Sequence, residues 1–248
     1  MNRLKVVIYG SKGRMGQALI AAVKENSLLE LAGTIDAGES LEVIANCDAV
    51  IDFTHADATL PALRKCIELG KIIVIGTTGH SNDVRDAIMD AVAQIPVIFS
   101  PNYSVGVNTL FWLTKKAAQI LGPDYDAEVI EVHHRLKKDA PSGTARRLVE
   151  VLDEAYGLDY DKDTRHGRSG MPGERTRTEI GVHAVRGGDV VGDHTVMLAA
   201  PGDRLELIHR ASSRETFARG ALRAALWARD TKKNQPGLYD MQDVLGLQ

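Results

Sequence analysis

The chain has 248 residues, 44% of them hydrophobic and 25% charged, with a net charge of −3, which suits one large or two modest domains and argues against a nucleic-acid binder. Its two cysteines, Cys47 and Cys66, are too few for a disulfide framework, and no apolar run is long enough for a membrane span or a signal peptide. The composition therefore predicts a soluble globular protein of a reducing, cytoplasmic compartment.

The first hundred residues alternate short apolar strands with helices whose apolar residues recur at helical spacing. This alternation is typical of a parallel sheet that is covered by helices on both faces. We therefore expect an α/β, Rossmann-like doubly wound sheet. The predicted strands are Leu4–Tyr9, Leu29–Ile35, Ala49–Phe53, Ile72–Ile75 and Val97–Phe99, and the predicted helices are Arg14–Lys24, Ala56–Leu69 and Asn82–Gln94.

In the rest of the chain, several strands follow one another with little helix between them. This bunching favours a mixed or antiparallel sheet, and hence a second, α+β domain. Residues 157–177 hold four glycines, Pro172 and many charges, which indicates a mobile loop. The predicted helices are Thr109–Leu121, Gly143–Tyr156 and Glu215–Arg229, and the predicted strands are Glu128–His134, Glu179–Arg186, His194–Ala200 and Leu205–Ala211.

A glycine-rich turn, Gly10-Ser-Lys-Gly13-Arg-Met-Gly16, connects the first predicted strand to the first helix. Glycines at this place let backbone amides approach a pyrophosphate at the start of a helix. Asp36 follows the second strand, where a Rossmann unit places a carboxylate for the adenosine ribose. We therefore favour a dinucleotide site over a plain turn. Asp36 would repel the 2′-phosphate of NADPH whereas Lys12 and Arg14 would attract it, so the residues leave NADH and NADPH both open.

Two further loops follow later strands, at the edge where open α/β sheets bind ligands. Gly76-Thr-Thr-Gly79 offers amides and hydroxyls, and Ser100-Pro-Asn-Tyr103 offers a rigid turn, an amide side chain and a ring. Either loop taken alone is ordinary turn chemistry. Because both share an edge with the glycine-rich turn, we expect them to contact the cofactor.

A basic segment, Glu131-Val-His-His-Arg-Leu-Lys-Lys-Asp-Ala-Pro-Ser-Gly-Thr-Ala145, joins a predicted strand to a helix. From His133 to Arg147, five Lys or Arg residues and one acid give a local charge of +4. Together with the amides of the helix that Ser142 opens, this charge predicts a site for a small dicarboxylate or phosphate. A histidine and a lysine within one loop are also candidate proton donors.

The alternatives for this segment are a solvated basic face and a metal site. Consecutive histidines on a strand point to opposite faces, and the sequence has no H-x-x-x-H pattern with carboxylate partners here, so we predict no metal. The other histidines are dispersed, and we expect His183 and His194 to be ordinary strand residues.

Eight stretches of the chain match a known family. They are Gly10 to Gly16, Asp52-Phe-Thr54, Gly76 to Gly79, Pro101-Asn-Tyr-Ser-Val-Gly106, Glu131 to Ala145, His183 to His194, Ala211-Ser-Ser-Arg214 and Gly237-Leu-Tyr-Asp-Met241. They resemble the 4-hydroxy-tetrahydrodipicolinate reductase (dihydrodipicolinate reductase) family of bacterial lysine biosynthesis over nearly the whole chain. The stretch with the histidine pair is the most specific. Leu136 departs from the family, since some members have histidine there.

The resemblance implies NADH- or NADPH-dependent reduction of a cyclic, imine-derived dicarboxylate, 4-hydroxy-tetrahydrodipicolinate, by a homotetramer. It makes His133 a proton donor or acceptor and Lys137 the proton donor. The substrate carboxylates would be bound by His134, Gly143 and Thr144. The cofactor-binding residues that it implies are Gly10, Ser11, Lys12, Gly13, Arg14, Met15, Asp36, Gly76, Thr77, Thr78, Ser100, Pro101, Asn102 and Tyr103.

We accordingly expect a dinucleotide-binding domain over residues 1–104 and 214–248, and a domain over 105–213 for substrate binding and oligomerisation. Two other functions stay open: a two-domain nicotinamide dehydrogenase of another small acid or aldehyde, and a non-catalytic sensor of NADH. The basic segment from Glu131 to Ala145 argues against the other dehydrogenase, because it predicts a dicarboxylate substrate. The sensor usually needs a basic element that reads nucleic acid, and the sequence has none outside the proposed site.

Overall fold

The computed structural model describes residues 2–232 and 234–247. The chain folds into two compact units, which we call unit 1 and unit 2. Unit 1 consists of the residues up to Val105 together with those from Arg214 onward, and unit 2 of Gly106–Ser213. None of the helices among the described residues has the length and hydropathy of a membrane span.

Within the described residues, unit 1 contains a six-stranded sheet in which neighbouring strands are all parallel. Its strands are β1 (Leu4–Tyr9), β2 (Leu29–Ile35), β3 (Ala49–Asp52), β4 (Ile72–Ile75), β5 (Pro96–Phe99) and β11 (Gly237–Tyr239), in the spatial order β11-β5-β4-β3-β1-β2. Strands β3 and β4 are buried at every residue, which explains their continuous apolar sequences.

Helices cover both faces of this sheet. One apolar core joins α1, α7 and α8 to the sheet, and another joins α2 and α3 to it. Val6 and Ile8 belong to the first core and Val7 to the second, because alternate residues of a strand point to opposite faces. The predicted doubly wound fold is thus confirmed. The helices are α1 (Arg14–Glu25), α2 (Ala56–Leu69), α3 (Asn82–Ala91), α7 (Glu215–Asp230) and α8 (Met241–Leu245), with a short 3-10 helix at Leu41–Asn46.

Unit 2, all of whose residues the structure describes, contains a five-stranded mixed sheet of order β10-β9-β6-β8-β7. Strand β9 is antiparallel to β6 and β10, whereas β8 is parallel to β6 and β7. Helices α4 and α5 pack on one face of the sheet, as the predicted α+β domain requires. The elements are α4 (Val105–Leu121), β6 (Asp126–His133), α5 (Gly143–Tyr156), α6 (Tyr160–Asp163), β7 (Thr164–His166), β8 (Ile180–Arg186), β9 (Gly192–Ala200) and β10 (Asp203–Ala211).

The prediction of a loop over residues 157–177 is wrong between Tyr160 and His166, because α6 and β7 form there. The rest of this segment is tied to the sheet by ion pairs: Arg168 and Arg175 both donate to the buried carboxylate of Glu128. Local composition could not reveal this, because the partners are 40 or more residues apart in sequence. The short elements β11 and α8 were also not predicted.

Candidate active site

The glycine-rich turn of unit 1 lies between β1 and α1, beside the loop that follows β3. Gly10 has a φ of +88°, and a Cβ at this position would lie 2.4 Å from the carbonyl oxygen of Phe53. A Cβ on Gly16 would lie 2.2 Å from the carbonyl oxygen of Gly10. Only glycine permits these approaches. Since β1 lies between β2 and β3, the turn is at the switch point where open α/β sheets bind nucleotides.

Gly13 is the N-cap of α1 and has no side chain with which to cap the first helical amides. Those amides lie at the positive end of the helix, and a pyrophosphate can accept their hydrogen bonds. The tight backbone cradle and the uncapped helix start therefore fit a dinucleotide.

Asp36 lies beside this turn and is held by it. Its Oδ2 accepts the Lys12 amide at 2.6 Å and the Ser11 hydroxyl at 3.3 Å. The Lys12 and Ala37 amides hold the pKa of Asp36 below its usual range, so the carboxylate is charged at neutral pH. Lys12 Nζ is 3.0 Å from Glu39 Oε1, and Glu39 Oε2 accepts the Asp36 amide at 2.8 Å. The lysine that would attract a 2′-phosphate is therefore paired with an acid.

Asp52, at the end of β3, organises two of the loops beside the turn. It is fully buried, and its Oδ1 accepts the Thr54 amide at 3.0 Å and the Thr77 hydroxyl at 2.9 Å. Its Oδ2 accepts the Thr59 hydroxyl at 2.7 Å. Because Thr77 belongs to the predicted cofactor loop 76–79, this carboxylate fixes that loop against the loop after β3. Sequence reasoning gave Asp52 no role, although an acid at the end of an apolar strand was a visible signal.

Tyr103 lies in the predicted loop after β5, but its side chain faces the core. The ring is 2% exposed, and the hydroxyl lies 2.9 Å from the carbonyl oxygens of both Ile75 and Ile98. The ring also packs edge-on against Phe53, with centroids 5.7 Å apart. The Tyr103 side chain thus supports the ends of β4 and β5, and any contact with a cofactor would be made by its backbone.

In unit 2, Glu131 and His133 lie two residues apart on β6, so both side chains are on one face of the sheet. Nδ1 of His133 hydrogen-bonds to Oε2 of Glu131. Arg186, the last residue of β8, donates to the two carboxylate oxygens at 2.9 and 2.8 Å, and the Ser142 amide donates to Oε1 at 3.0 Å. Glu131 is completely buried, so these contacts replace water around its charge.

Glu131 is ionised despite its burial. Burial alone would raise its pKa, but the hydrogen bonds from His133, Arg186 and Ser142 lower the pKa of Glu131 to about 2. An ionised carboxylate only accepts hydrogen bonds, so the hydrogen between the two side chains belongs to Nδ1 of His133. The opposite ring nitrogen, Nε2, is the one available for proton exchange.

His194 of β9 packs edge-on against His133, with ring centroids 5.2 Å apart. Its Nε2 lies 3.2 Å from the Ser142 hydroxyl, which also accepts the Ala145 amide at 3.1 Å and caps α5. Burial, followed by the nearby His133, lowers the pKa of His194 to about 3, so this imidazole is neutral. His194 is a strand residue, as predicted, but it also forms part of the surroundings of His133.

The basic segment divides into two parts in the structure. Lys137 lies in the loop after β6, and its Nζ is 2.9 Å from Asp139 Oδ1. Arg146 and Arg147 instead pair with acids further along α5. The positive charge of the loop is therefore smaller than the +4 counted from the sequence.

The predicted residues of this segment take different places around Glu131. His134 directly follows β6, whereas Gly143 and Thr144 are the first two residues of α5, at its positive end. The Ser142 amide links the start of α5 to Glu131, and Glu131 is bonded to His133. Sequence reasoning missed Glu131 and Arg186. Glu131 could have been noticed as an acid two residues before a histidine at the end of a strand. Arg186 had no such local signal, because it is 55 residues away from Glu131 in sequence.

Two family models match almost the entire chain. The model described as "Dihydrodipicolinate reductase, N-terminus" matches residues 4–103, and "Dihydrodipicolinate reductase, C-terminus" matches residues 106–245. The chain belongs to the dihydrodipicolinate reductase family. The resemblance found in the eight sequence stretches is thereby confirmed.

Relatives named 4-hydroxy-tetrahydrodipicolinate reductase are similar over nearly their full length. The relative from Akkermansia muciniphila is 53% identical over 245 residues, which are 98% of each chain. Those from Hahella chejuensis and Syntrophotalea carbinolica are 46% and 45% identical, over 98% of this chain and 99% of theirs. The solved structure of a dipicolinate-bound dihydrodipicolinate reductase from Paenisporosarcina sp. TG-14 has the same fold, with a TM-score of 0.77, 22% identity and coverage of 97% of this chain and 99% of that one.

Membership in the dihydrodipicolinate reductase family makes the chain an enzyme, an oxidoreductase of the NAD(P)H-dependent kind. The predicted enzyme class and cofactor class are therefore confirmed. The tight glycine turn and the uncapped start of α1 in unit 1 fit that cofactor.

Proposed function

We propose that the chain catalyses the reduction of 4-hydroxy-tetrahydrodipicolinate to tetrahydrodipicolinate by NADH or NADPH, a step of diaminopimelate and lysine biosynthesis. The structural observation that carries this proposal is the His133 imidazole, bonded to an ionised Glu131 that also binds the start of α5. It combines a proton-transfer group with a helix terminus that suits an anionic substrate.

The cofactor would be held in unit 1. Residues 10–15 would bind the pyrophosphate, Asp36 the adenosine ribose, and residues 76–78 and 100–103 the remainder. When bound, the nicotinamide supplies a hydride. Asp52 would act indirectly, because it holds Thr77 in place.

The substrate would be held in unit 2 through its carboxylates. The amides of Gly143 and Thr144 lie at the positive end of α5, where a carboxylate is favoured. His134 would contact a carboxylate, and the lysine-rich loop that follows β6 would add positive charge. A dicarboxylate is therefore a better match for this site than a neutral metabolite.

The 4-hydroxyl group of the substrate would leave as water, and the conjugated carbon–nitrogen system that results would take up one hydride and one proton. Lys137 would donate this proton, with Asp139 holding its Nζ, and His133 would donate or accept a proton through Nε2. The Glu131 carboxylate orients the imidazole of His133 through Nδ1, and the basic loop stabilises negative charge on the substrate.

We further propose that NADH is preferred over NADPH, because Asp36 is charged and Lys12 is paired with Glu39. Glu39→Gln is expected to release Lys12 for a 2′-phosphate and to lower KM for NADPH up to about fivefold, the range of an exposed ion pair. KM for NADH should stay unchanged. Glu42→Gln is the control, since Glu42 pairs with Lys65 instead. Equal KM values for NADPH in both variants and the wild type would contradict the pairing argument.

The sheet of unit 2 supports a homotetramer. On the face opposite α4 and α5, Ile130, Thr195 and Ile208 are aligned across β6, β9 and β10. Ile130 and Thr195 are half-buried, and Ile208 is 49% exposed. The two isoleucines, on either side of the threonine, favour coverage of this face by further copies of the chain. Light scattering is expected to give four times the mass of one chain, and a monomer mass would contradict the proposal.

We propose a cytoplasmic location for the enzyme. Cys47 and Cys66 are both buried free thiols, which are typical of proteins from reducing compartments. Cell fractionation should recover the enzyme with cytoplasmic markers.

The experiment that tests the function follows the oxidation of NADH and of NADPH at their nicotinamide absorbance. The substrate is generated in place by the preceding synthase from pyruvate and aspartate semialdehyde. We expect turnover that depends on the synthase. If the protein binds nucleotide but gives no turnover, the proposal is wrong, and a dehydrogenase of another small acid or an NADH sensor would replace it.

A further inference from the structure

We propose that Glu131 is a positioning residue for proton transfer by His133, an inference that rests on the proposed function. Its carboxylate binds groups from three separate segments of unit 2: the end of β6, the end of β8 and the start of α5. The first and third of these segments are joined by the basic loop, whereas the end of β8 lies more than 40 residues further along the chain. One buried carboxylate therefore sets where the imidazole lies relative to the helix terminus that faces the substrate.

The two carboxylate oxygens have different partners. Oε1 accepts the Ser142 amide at 3.0 Å and Nη2 of Arg186 at 2.8 Å. Oε2 accepts Nη1 of Arg186 at 2.9 Å and Nδ1 of His133. Because the bidentate guanidinium holds the carboxylate plane, Oε2 is directed at Nδ1. The neutral imidazole then carries its hydrogen on Nδ1, and Nε2 is left as the atom that exchanges protons.

The surroundings of Nε2 are consistent with this role. A Cβ on Gly192 would lie 2.9 Å from Nε2 of His133 and 3.3 Å from its Cδ2, so a glycine at this point of β9 leaves room beside that nitrogen. His194, which packs edge-on against the ring, is neutral and does not compete for the charge of Glu131.

The same carboxylate links proton transfer to substrate binding. Ser142 donates its amide to Glu131, and its hydroxyl caps α5 through the Ala145 amide. A displacement of Glu131 would therefore move both the imidazole and the first turn of α5. Arg186 extends the link to the basic loop, since its Nη2 also donates to the Asp139 carbonyl oxygen at 2.7 Å.

Glu131→Gln tests this arrangement with almost no change in shape. The glutamine side chain has a single acceptor oxygen. We expect this oxygen to take the Oε1 position, where it would accept hydrogen bonds from the Ser142 amide and from Arg186. Its NH2 group would then face Nδ1 of His133 and favour the tautomer with hydrogen on Nε2. By analogy with the loss of an orienting carboxylate in hydrolases, we expect kcat to fall about 1000-fold, with KM values within about threefold of the wild type.

Glu128→Gln is a matched control. Glu128 is also a buried glutamate of β6, but it lies on the other side of the strand. It is likewise bonded to arginines, Arg168 and Arg175, and to a histidine, His183, whose Nε2 is 2.8 Å away. If buried ion pairs on β6 had a purely structural role, kcat would fall by a similar factor in both variants. The positioning role predicts a loss of kcat in Glu131→Gln alone.

The tautomer of His133 can be read without any turnover, from ¹⁵N–¹H NMR of histidine-labelled protein at alkaline pH, with His133→Gln to assign the signal. We expect hydrogen on Nδ1 in the wild type and in Glu128→Gln, and on Nε2 in Glu131→Gln. If Glu131→Gln does not fold, the inference is tested by the tautomer of His133 in the wild type and in the charge-conserving variant Glu131→Asp. We expect hydrogen on Nδ1 in both proteins.

Hydrogen on Nε2 in the wild type, or a kcat of Glu131→Gln within about threefold of the wild type, would overturn the inference. A wild-type enzyme without turnover would instead overturn the proposed function, since the tautomer measurement does not depend on the reaction. The two failures are therefore distinguishable.

Discussion

Replacing His133 by glutamine is expected to lower kcat by about 1000-fold, within the range by which a positioned acid or base accelerates a reaction. The dissociation constant for NADH should remain unchanged, because His133 belongs to unit 2 and the glycine-rich turn to unit 1. Glutamine can still hydrogen-bond to Glu131, but it carries no transferable proton. Steady-state kinetics with synthase-generated substrate measure the loss, and nucleotide fluorescence measures the binding.

Lys137→Ala should lose turnover in the same way, since it removes the other proposed proton donor. His166→Gln is the control, because His166 is an exposed strand residue outside the Glu131 network. If His133→Gln and Lys137→Ala both turned over at the wild-type rate, the assignment of the site would be wrong even if the reaction were right.

Asp153→Asn is expected to stabilise the protein above pH 6 by up to about 3 kcal/mol. Asp153 of α5 is 6% exposed, and neither carboxylate oxygen has a hydrogen-bond partner among the described residues. Burial raises the pKa of Asp153 from 3.8 to about 6, and the nearby acids Asp163, Asp159 and Glu150 add to the effect. Each pKa unit corresponds to about 1.4 kcal/mol.

The direction of the pH dependence follows from proton binding. Between pH 4 and pH 6 the folded state holds the Asp153 proton and the unfolded state releases it, so this group makes the free energy of unfolding fall as pH rises. Asparagine cannot ionise, and its advantage over the wild type should be absent below about pH 4 and complete above about pH 7. Urea denaturation across this range measures it.

The exposed Asp161 provides the control, and Asp161→Asn should follow the wild type at every pH. An Asp153→Asn variant that is equally stable or less stable than the wild type at pH 7 would show that an unseen partner satisfies this carboxylate.

The nucleotide-binding half of the fold could be predicted because its signals are local. The turn from Gly10 to Gly16 is contiguous, it stands between an apolar run and a helical repeat, and Asp36 follows the next strand. Strand and helix periodicities depend on neighbouring residues, so the bounds of β1, β2 and β4 agree with the predicted ones.

Features that depend on distant partners could not be predicted. The composition of residues 157–177 is that of a loop, yet Arg168 and Arg175 bind Glu128 of β6. Tyr103 stays a predicted cofactor residue, but the sequence did not indicate that its ring packs against Phe53 or that its hydroxyl lies at the ends of β4 and β5. In both cases the burial of a side chain depends on which strands become neighbours.

Contiguous patterns in the sequence were enough to predict a doubly wound domain, a mixed-sheet domain and a dinucleotide site, and the resemblance of eight short stretches to a known family was enough to predict the reductase activity. The contacts of Glu131 with Arg186, Ser142 and His133 became visible only in the folded chain. They arise because the pairing of β6 with β8 and the packing of α5 bring the Arg186 and Ser142 donors within 3.0 Å of one buried carboxylate. Such contacts have no signature in sequence spacing.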